Sequence, residues 1–240
     1  EFEETYRKSR EDWRDAIFAE AEGKNGTEFF QIYASHAYEM PAGRPILASD
    51  CQGAGTAVYV VSRIAGEGAD RFEKTGDYYL TQEEKRDLET LNRMVDSLVV
   101  VLNVGAQIDV EEILSFDKVK ALLSLVQPGM EGGNALADVL TGAVNPSGKL
   151  TDTWAVRYSD FPNAATFSHN NGNIETEKYE EGIYVGYRYF DSFGIEPVFP
   201  FGYGLSYTQF EVKATAVTTD HASVTVSVAV TNTGSRAGKE

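Results

Sequence analysis

Residues 98–104 read Leu-Val-Val-Val-Leu-Asn-Val, an apolar run rich in branched side chains. Runs of this length and composition are typical of strands that are buried on both faces of a parallel sheet. Two similar runs occupy residues 57–61 (Ala-Val-Tyr-Val-Val) and 121–126 (Ala-Leu-Leu-Ser-Leu-Val). We therefore predict three parallel strands, with the strand at 57–61 central and covered on both faces.

Helical patterns separate and follow these runs. Thr81 and Glu84 have the spacing of a capping box, and apolar residues then mark one helical face at Leu88, Leu91, Val95 and Leu98. Residues 135–140 indicate a second helix that ends at Gly142, and residues 2–22 a third, followed by an irregular segment at 23–45. The alternation predicts the α/β class, a mostly parallel sheet flanked by helices.

The last part of the chain has a different period. Apolar and polar residues alternate over 210–216 and 224–230 on either side of the turn Thr219-Asp220-His221, which predicts an antiparallel hairpin. A β-sandwich needs about seven strands, and these residues supply two or three. We therefore expect a truncated β-sandwich segment and interpret the chain as a fragment of a longer polypeptide.

Composition excludes several classes of protein. A formal net charge of −16 disfavours nucleic acid as a partner, and no apolar run reaches the roughly 18 residues of a membrane span. The single cysteine, Cys51, cannot form a disulfide within the chain, and we expect a small, buried or half-buried thiol. The N-terminus lacks the basic and apolar start of a signal peptide. The compartment stays open, with a cytoplasmic location favoured over a secreted one.

Motifs for cofactors and metals are incomplete. The stretches around Gly142–Lys149 and Gly66–Arg71 each break a nucleotide-binding pattern, and no Gly-x-Ser-x-Gly nucleophile motif occurs. The three histidines, His36, His169 and His221, lack ligand spacing. We therefore predict no cofactor and no metal.

Glu67 stands between two glycines in the loop that we expect after the first apolar run of 57–61. In parallel sheets, ligands bind beyond the carboxyl ends of the strands, and flanking glycines let a ligand approach the backbone closely. A catalytic carboxyl and a solvated loop glutamate both fit this pattern. Asp70 and Arg71 could brace the loop as an ion pair.

Five blocks of the sequence stand out together. They are VVSRIAGEGADR (60–71), VVVLNVGAQIDV (99–110), LVQPGMEGGNALADVLTGAVNPSGKLTDTW (125–154), YEEGIYVGYRYFD (179–191) and VFPFGYGLSYTQFE (198–211). These blocks resemble the C-terminal half of glycoside hydrolase family 3, the β-glucosidase and β-xylosidase family. The resemblance covers about residues 57–212, with the blocks in family order. Residues 1–56 match less well, in the manner of bacterial members whose α/β domain precedes the barrel.

The resemblance implies a retaining glycosidase built from two domains. A (β/α)8 barrel of the same polypeptide would supply an Asp nucleophile, and the α/β sandwich domain would lend the general acid/base, here Glu67. The barrel motif has no counterpart in this chain, and the family's first sandwich strand with its Gly/Ser-rich loop is missing as well. The implied domains are residues 1–206, the α/β sandwich, and 207–240, the beginning of a fibronectin type III-like domain.

The same blocks suggest further contacts with a sugar. Candidate substrate-binding residues are Arg63, Asn103, Asp109 and Glu180, although paired acids such as Glu180 and Glu181 are more often solvated. The implied substrate is an oligosaccharide or β-glucoside with a terminal β-linked sugar, and the fragment alone is expected to be inactive. The alternative is a non-catalytic carbohydrate-binding or assembly module that keeps the fold. The sequence leaves the oligomeric state open, and a homo-oligomer is one of the alternatives.

Overall fold

A computed structural model describes residues 2–36, 38, 41, 43–63, 71–168, 170–173 and 175–240, with the backbone alone for Phe2. The described chain divides into two compact units. The first comprises Glu1–Ile108 and Glu112–Val126, and the second comprises Asp109–Glu111 and Gln127–Glu240.

The first unit is built on a three-stranded parallel sheet. Its strands are β1 (Thr56–Ser62), β2 (Ser97–Asn103) and β3 (Val119–Ser124), in the order β1-β2-β3. The predicted α/β fold and its three parallel strands are confirmed. Since the strands run the same way, their carboxyl ends lie at the same edge of the sheet.

The core of this sheet is its middle strand. In β2, Leu98, Val100 and Val101 are fully buried, and burial of each such side chain contributes about 1.5–3 kcal/mol. The expectation that the strand at 57–61 is covered on both faces is wrong. It lies at the edge of the sheet, and Val58 and Val60 are about half exposed, because no element of the described chain covers that face.

Two helices precede the sheet, α1 (Phe2–Glu20) and α2 (Gly26–Ser35). The first is close to the predicted 2–22, but α2 lies in the segment that we interpreted as irregular. Asn25 caps it by accepting the N–H groups of Thr27 and Glu28, and the Glu28 side chain accepts from Asn25 N. The capping box, which is visible in the sequence, thus starts a helix in a segment where the apolar residues show no clear helical period.

The helix α3 (Gln82–Met94) connects β1 to β2 and starts at the predicted capping box of Thr81 and Glu84. It packs on the sheet through Leu88 and Leu91. The prediction that Val95 and Leu98 continue the apolar face of this helix is wrong, because the helix ends at Met94 and Leu98 belongs to β2.

A short helix, α4 (Glu111–Ser115), precedes β3 and buries Ile113. Cys51 is the last residue of a 3-10 turn, Ala48–Cys51, and is buried, as expected.

The second unit contains α5 (Gly132–Thr141), which ends at Gly142 as predicted, and α6 (Tyr187–Phe193), which the sequence analysis missed. Its strands β4 (Phe210–Thr219) and β5 (Val224–Asn232) form the predicted antiparallel hairpin. Several aromatic side chains pack within this unit, including Phe199 stacked on Tyr203 at 5.0 Å between ring centroids. The assignment of residues 207–240 to a fibronectin type III-like domain stays a prediction.

Candidate functional site

The carboxyl edge of the parallel sheet brings Arg63 and Asn103 together. Ser62 and Asn103, the last residues of β1 and β2, are register partners. The backbone N–H of Arg63 donates to Asn103 O at 3.2 Å, and Asn103 Nδ2 lies 3.5 Å from Ser62 Oγ. Arg63 therefore leaves the sheet with its backbone still tied to the central strand.

The guanidinium of Arg63 is buried, with its side chain only 6% exposed. It forms a double ion pair with Glu84, Nη1 to Oε1 at 2.6 Å and Nη2 to Oε2 at 2.8 Å. The remaining donors reach backbone oxygens of Ser62 (2.8 Å), Asp77 (3.0 Å) and Tyr79 (3.3 Å). These bonds use all five N–H donors of an arginine, so in this arrangement Arg63 joins the strand end to the segment before α3.

Glu84 links this arginine to the start of α3. One carboxylate oxygen also accepts the backbone N–H of Thr81 at 2.8 Å, while Glu84 N donates to Thr81 Oγ1 at 3.0 Å. A carboxylate in the first turn is further stabilised by the positive end of the helix dipole. The same side chain therefore caps the helix and neutralises the buried Arg63.

A second ion pair lies between Arg71 and Asp77. Arg71 Nη1 lies 2.6 Å from Asp77 Oδ1, and the backbone N–H of Phe72 donates to Asp77 Oδ2 at 2.8 Å. Both side chains are largely buried, at 13% and 20% exposure. Among the described residues, the buried Nε of Arg71 has no hydrogen-bond partner. Because both oxygens of Asp77 accept N–H groups, the role of this carboxylate here is structural.

The segment that carries Asp77 is a compact turn. Backbone hydrogen bonds connect Lys74 N and Tyr78 N to Phe72 O at 2.8 and 3.3 Å, and Tyr79 N to Lys74 O at 3.0 Å. Tyr78 and Leu80 are buried, at 3% exposure each. The turn is thereby fixed both by its own hydrogen bonds and by its packing.

Tyr59 lies on β1 in the same unit. Burial raises the pKa of the Tyr59 phenol, and the nearby charges of Asp87 and Glu84 raise it further. The phenol therefore stays protonated at neutral pH and adds no charge to the neighbourhood of Arg63.

The predicted site residues fall into three groups. Glu67 and Asp70 lie in 64–70, outside the described residues. Arg63 and Asn103 meet at the sheet edge, as described above. Asp109 and Glu180 belong to the second unit.

Asp109 and Glu180, the two predicted site residues in the second unit, lie in different local structures. Asp109 Oδ1 accepts the N–H of Glu111 at 3.1 Å, at the start of α4. Glu180 is exposed in a turn, next to Glu181, whose carboxylate accepts from Asn163 Nδ2. Substrate contact by Arg63, Asn103, Asp109 or Glu180 stays a prediction.

The sequence analysis missed the partners of the two arginines, Glu84 and Asp77. Glu84 was recognised as a helix cap, and nothing local indicated that it also pairs with Arg63, 21 residues earlier. Asp77 carries no motif signal at all. Its role depends on a turn that returns to the strand end.

Other kinds of site find no support in the part of the chain that the structure describes. No group of three His, Cys, Asp or Glu side chains there could hold a metal ion. None of the helices described is both long enough and apolar enough to cross a membrane.

Several known proteins with similar sequences are β-glucosidases. The β-glucosidase of Ruminococcus albus is 43% identical over 203 residues, covering 84% of this chain and 21% of that protein. The thermostable β-glucosidase B of Acetivibrio thermocellus is 42% identical over 178 residues, covering 72% of this chain and 22% of that protein. The chain thus spans about a fifth of the length of these relatives.

Solved structures of β-glucosidases share the fold of this chain. The β-glucosidase 3B of Thermotoga neapolitana in complex with glucose aligns with a TM-score of 0.74 at 42% identity, over 80% of this chain and 27% of that one. A β-glucosidase from Paenibacillus barengoltzii aligns with a TM-score of 0.75 at 37% identity, over 87% of this chain and 24% of that one.

The family model of the glycosyl hydrolase family 3 C-terminal domain matches residues 40–187, which is more than half of the chain. The match includes the parallel sheet, α3, α5 and the whole of the segment 64–70. By this match and by its fold, the chain belongs to glycosyl hydrolase family 3, of which it contains the C-terminal domain.

Proposed function

We propose that this chain supplies the general acid/base carboxyl, Glu67, of a retaining β-glucosidase-like hydrolase that acts on terminal β-linked sugars. The observation that carries the proposal is the position of Gly66-Glu67-Gly68 in the sequence, three residues after Arg63, which itself follows β1 at the carboxyl edge of the parallel sheet. That edge is where ligands bind in folds of this class.

The chemistry needs two carboxyl groups about 5–5.5 Å apart. In the first step Glu67, protonated, gives its proton to the glycosidic oxygen, while an Asp of the (β/α)8 barrel attacks the anomeric carbon and the leaving alcohol departs. In the second step Glu67, now a carboxylate, takes a proton from water, which displaces the Asp and releases the sugar. A pKa suited to both steps requires burial or a nearby carboxylate.

The described carboxylates near Arg63 do not compete for this role. Glu84 and Asp77 are each paired with an arginine and accept backbone N–H groups. A carboxylate committed to such bonds cannot shuttle a proton to a substrate. This supports the choice of Glu67 as the acid/base.

We further propose that the barrel lies in the same full-length polypeptide, and that residues 207–240 open a fibronectin type III-like domain after an α/β sandwich domain of residues 1–206. The chain covers only about a fifth of the length of its β-glucosidase relatives, and the remainder of those proteins is long enough to contain a barrel. Because the nucleophile would come from it, we expect residues 1–240 alone to leave aryl β-glucosides unhydrolysed. Turnover by this chain that Glu67→Gln abolishes would contradict that expectation.

The experiment for the catalytic role uses the full-length polypeptide and an aryl β-glucoside with an activated leaving group. Glu67→Ala should slow turnover by about 10²–10⁴-fold, as expected for loss of general acid/base catalysis. Added azide should restore much of the rate, because it attacks the glycosyl-enzyme without needing a general base. Glu83→Ala, which removes an exposed glutamate from the first turn of α3, is the matched control. Equal turnover by Glu67→Ala and Glu83→Ala would show that Glu67 is not the acid/base, and would favour the non-catalytic module.

A further inference from the structure

A cavity of about 410 Å³ lies along one face of α1. Its lining includes the aromatic rings of Tyr6 and Trp13, and the other side chains that line it are charged and belong to the same helix. Pockets that bind small molecules have volumes of about 300–1,000 Å³ and combine apolar surface with a few polar groups. The cavity therefore has the size and the mixed lining of a small-molecule site.

Arg10, which lines this cavity, has its guanidinium stacked on two aromatic rings. Its Cζ atom is 4.7 Å from the ring centroid of Trp13 and 4.6 Å from that of Tyr38. Hydrogen bonds hold both rings. Trp13 Nε1 donates to His36 O at 2.8 Å, and Tyr38 Oη donates to Ser9 Oγ at 3.2 Å. The side chain of Arg10 is therefore restricted before a ligand binds, which lowers the entropy cost of binding.

The N–H groups of Arg10 are available to a ligand. Stacking uses the faces of the guanidinium, whereas its five N–H donors point outward in its plane. Among the residues that the structure describes, no acceptor forms a hydrogen bond or an ion pair with this guanidinium. An arginine with free donors binds a carboxylate through two parallel hydrogen bonds. Arg10 thus offers a binding group for an oxyanion.

The charges around the cavity indicate how much negative charge it accepts. The charged side chains that line it are Glu3, Arg7, Arg10, Glu11 and Arg14. Three positive and two negative charges leave one positive charge, in a chain whose net charge is −16. A single carboxylate balances this charge, whereas a phosphate dianion would leave an excess of negative charge beside the two glutamates.

We propose, independently of the role of Glu67, that this cavity binds a small molecule in which a six-membered ring carries one carboxylate group. The carboxylate accepts two N–H groups of Arg10, and the ring packs on Tyr6, which is 38% exposed and offers apolar surface. Uronic acids and aromatic carboxylic acids share this chemistry.

The test follows the two indole N–H signals of residues 1–240 by ¹H–¹⁵N NMR at constant ionic strength. Trp13, in contact with Arg10, reports on the cavity, and Trp154, in the second unit, is an internal control. We expect D-glucuronate or benzoate to displace the Trp13 signal in a saturable way and to leave the Trp154 signal unchanged. Glucose lacks the carboxylate and acetate lacks the ring, so both should bind about tenfold or more weakly.

Two substitutions of Arg10 test its role. Arg10→Gln removes the charge and should weaken binding of the carboxylate probes about tenfold or more. Arg10→Lys keeps the charge without the planar fork and should also weaken binding, so it decides the question if Arg10→Gln does not fold. The matched control is Arg93→Gln on α3, where Arg93 is 66% exposed and lies 4.0 Å from Glu89. This control should leave binding unchanged.

The outcomes decide both the site and its ligand. Saturable binding of D-glucuronate identifies a sugar acid, and saturable binding of benzoate identifies an aromatic acid. Either result supports the proposal if the Arg10 substitutions weaken binding. The proposal is overturned if neither probe displaces the Trp13 signal saturably, if glucose or acetate binds as tightly, or if the Arg10 variants bind as tightly as Arg93→Gln.

Discussion

Replacement of Glu84 by glutamine tests the buried ion pair at the end of β1. The carboxylate of Glu84 accepts two N–H groups of Arg63, at 2.6 and 2.8 Å, and one of Thr81, at 2.8 Å. Glutamine has the same shape but only one acceptor oxygen, and its NH₂ group faces the donors of Arg63. The substitution therefore leaves a positive charge that is 94% buried without a counter-charge.

The expected loss follows from the exposure of the two partners. Removing one partner of a buried ion pair costs about 3–5 kcal/mol. Since Glu84 is 16% exposed and water can reach its site, we expect the lower end, about 3 kcal/mol. For a chain of this size that corresponds to a decrease in Tm of roughly 6–12 °C.

The assay is chemical denaturation of residues 1–240 followed by far-ultraviolet circular dichroism, with Tm from a thermal scan. Glu89→Gln is the control, because its pair with Arg93 is 4.0 Å long and both side chains are more than half exposed. Such surface pairs contribute at most about 1 kcal/mol. If Glu84→Gln and Glu89→Gln destabilise the protein equally, the reasoning about the buried pair is wrong.

A second variant separates the pair from the capping box. Arg63→Met removes the buried charge, so Glu84→Gln made in that background should cost much less than in the wild type. Contacting residues typically show coupling of about 0.5–3 kcal/mol. Additive effects of the two substitutions would mean that Glu84 stabilises the protein only as a helix cap.

Two further predictions concern a surface ion pair and a helix terminus. Hydrogen bonds from the Arg44 side chain and from the backbone N–H of Leu47 lower the pKa of Asp50 to about 2. The stabilisation by this ion pair is present above the unfolded pKa of about 4 and is lost as pH falls through the folded pKa. In urea denaturation, the stability difference between wild type and Asp50→Asn should therefore shrink as pH falls through this range. A difference that stays constant with pH would contradict the assignment. At the end of α5, Gly142 has φ 75°, and a Cβ there would lie 3.0 Å from Arg236 Nη1. Gly142→Ala should therefore lower the free energy of unfolding by about 1 kcal/mol, as measured by urea denaturation. Gly148→Ala is the control, because a Cβ at Gly148 would lie in open space, and this substitution should be nearly neutral. Equal losses of stability for the two variants would refute the argument from backbone strain.

Much of the fold could be predicted because it follows from local patterns. The three apolar runs specified three parallel strands, and the capping box of Thr81 and Glu84 placed the start of α3. Alternation with period two specified the hairpin of β4 and β5. These features depend on side-chain periodicity and on hydrogen bonds between residues three positions apart, which a sequence displays directly. The capping box of α2 was equally visible at Asn25 and Glu28, and we missed it.

Only the tertiary structure decided which partners the charged residues have and which faces are covered. Arg63 meets Asp77 and Glu84 across 14 and 21 residues, and such pairings depend on how a turn folds back against a strand end. The exposure of Val58 and Val60 depends on the position of β1 at the edge of its sheet. A sequence specifies which side chains seek burial or a counter-charge, whereas the path of the chain in space determines which neighbours supply them.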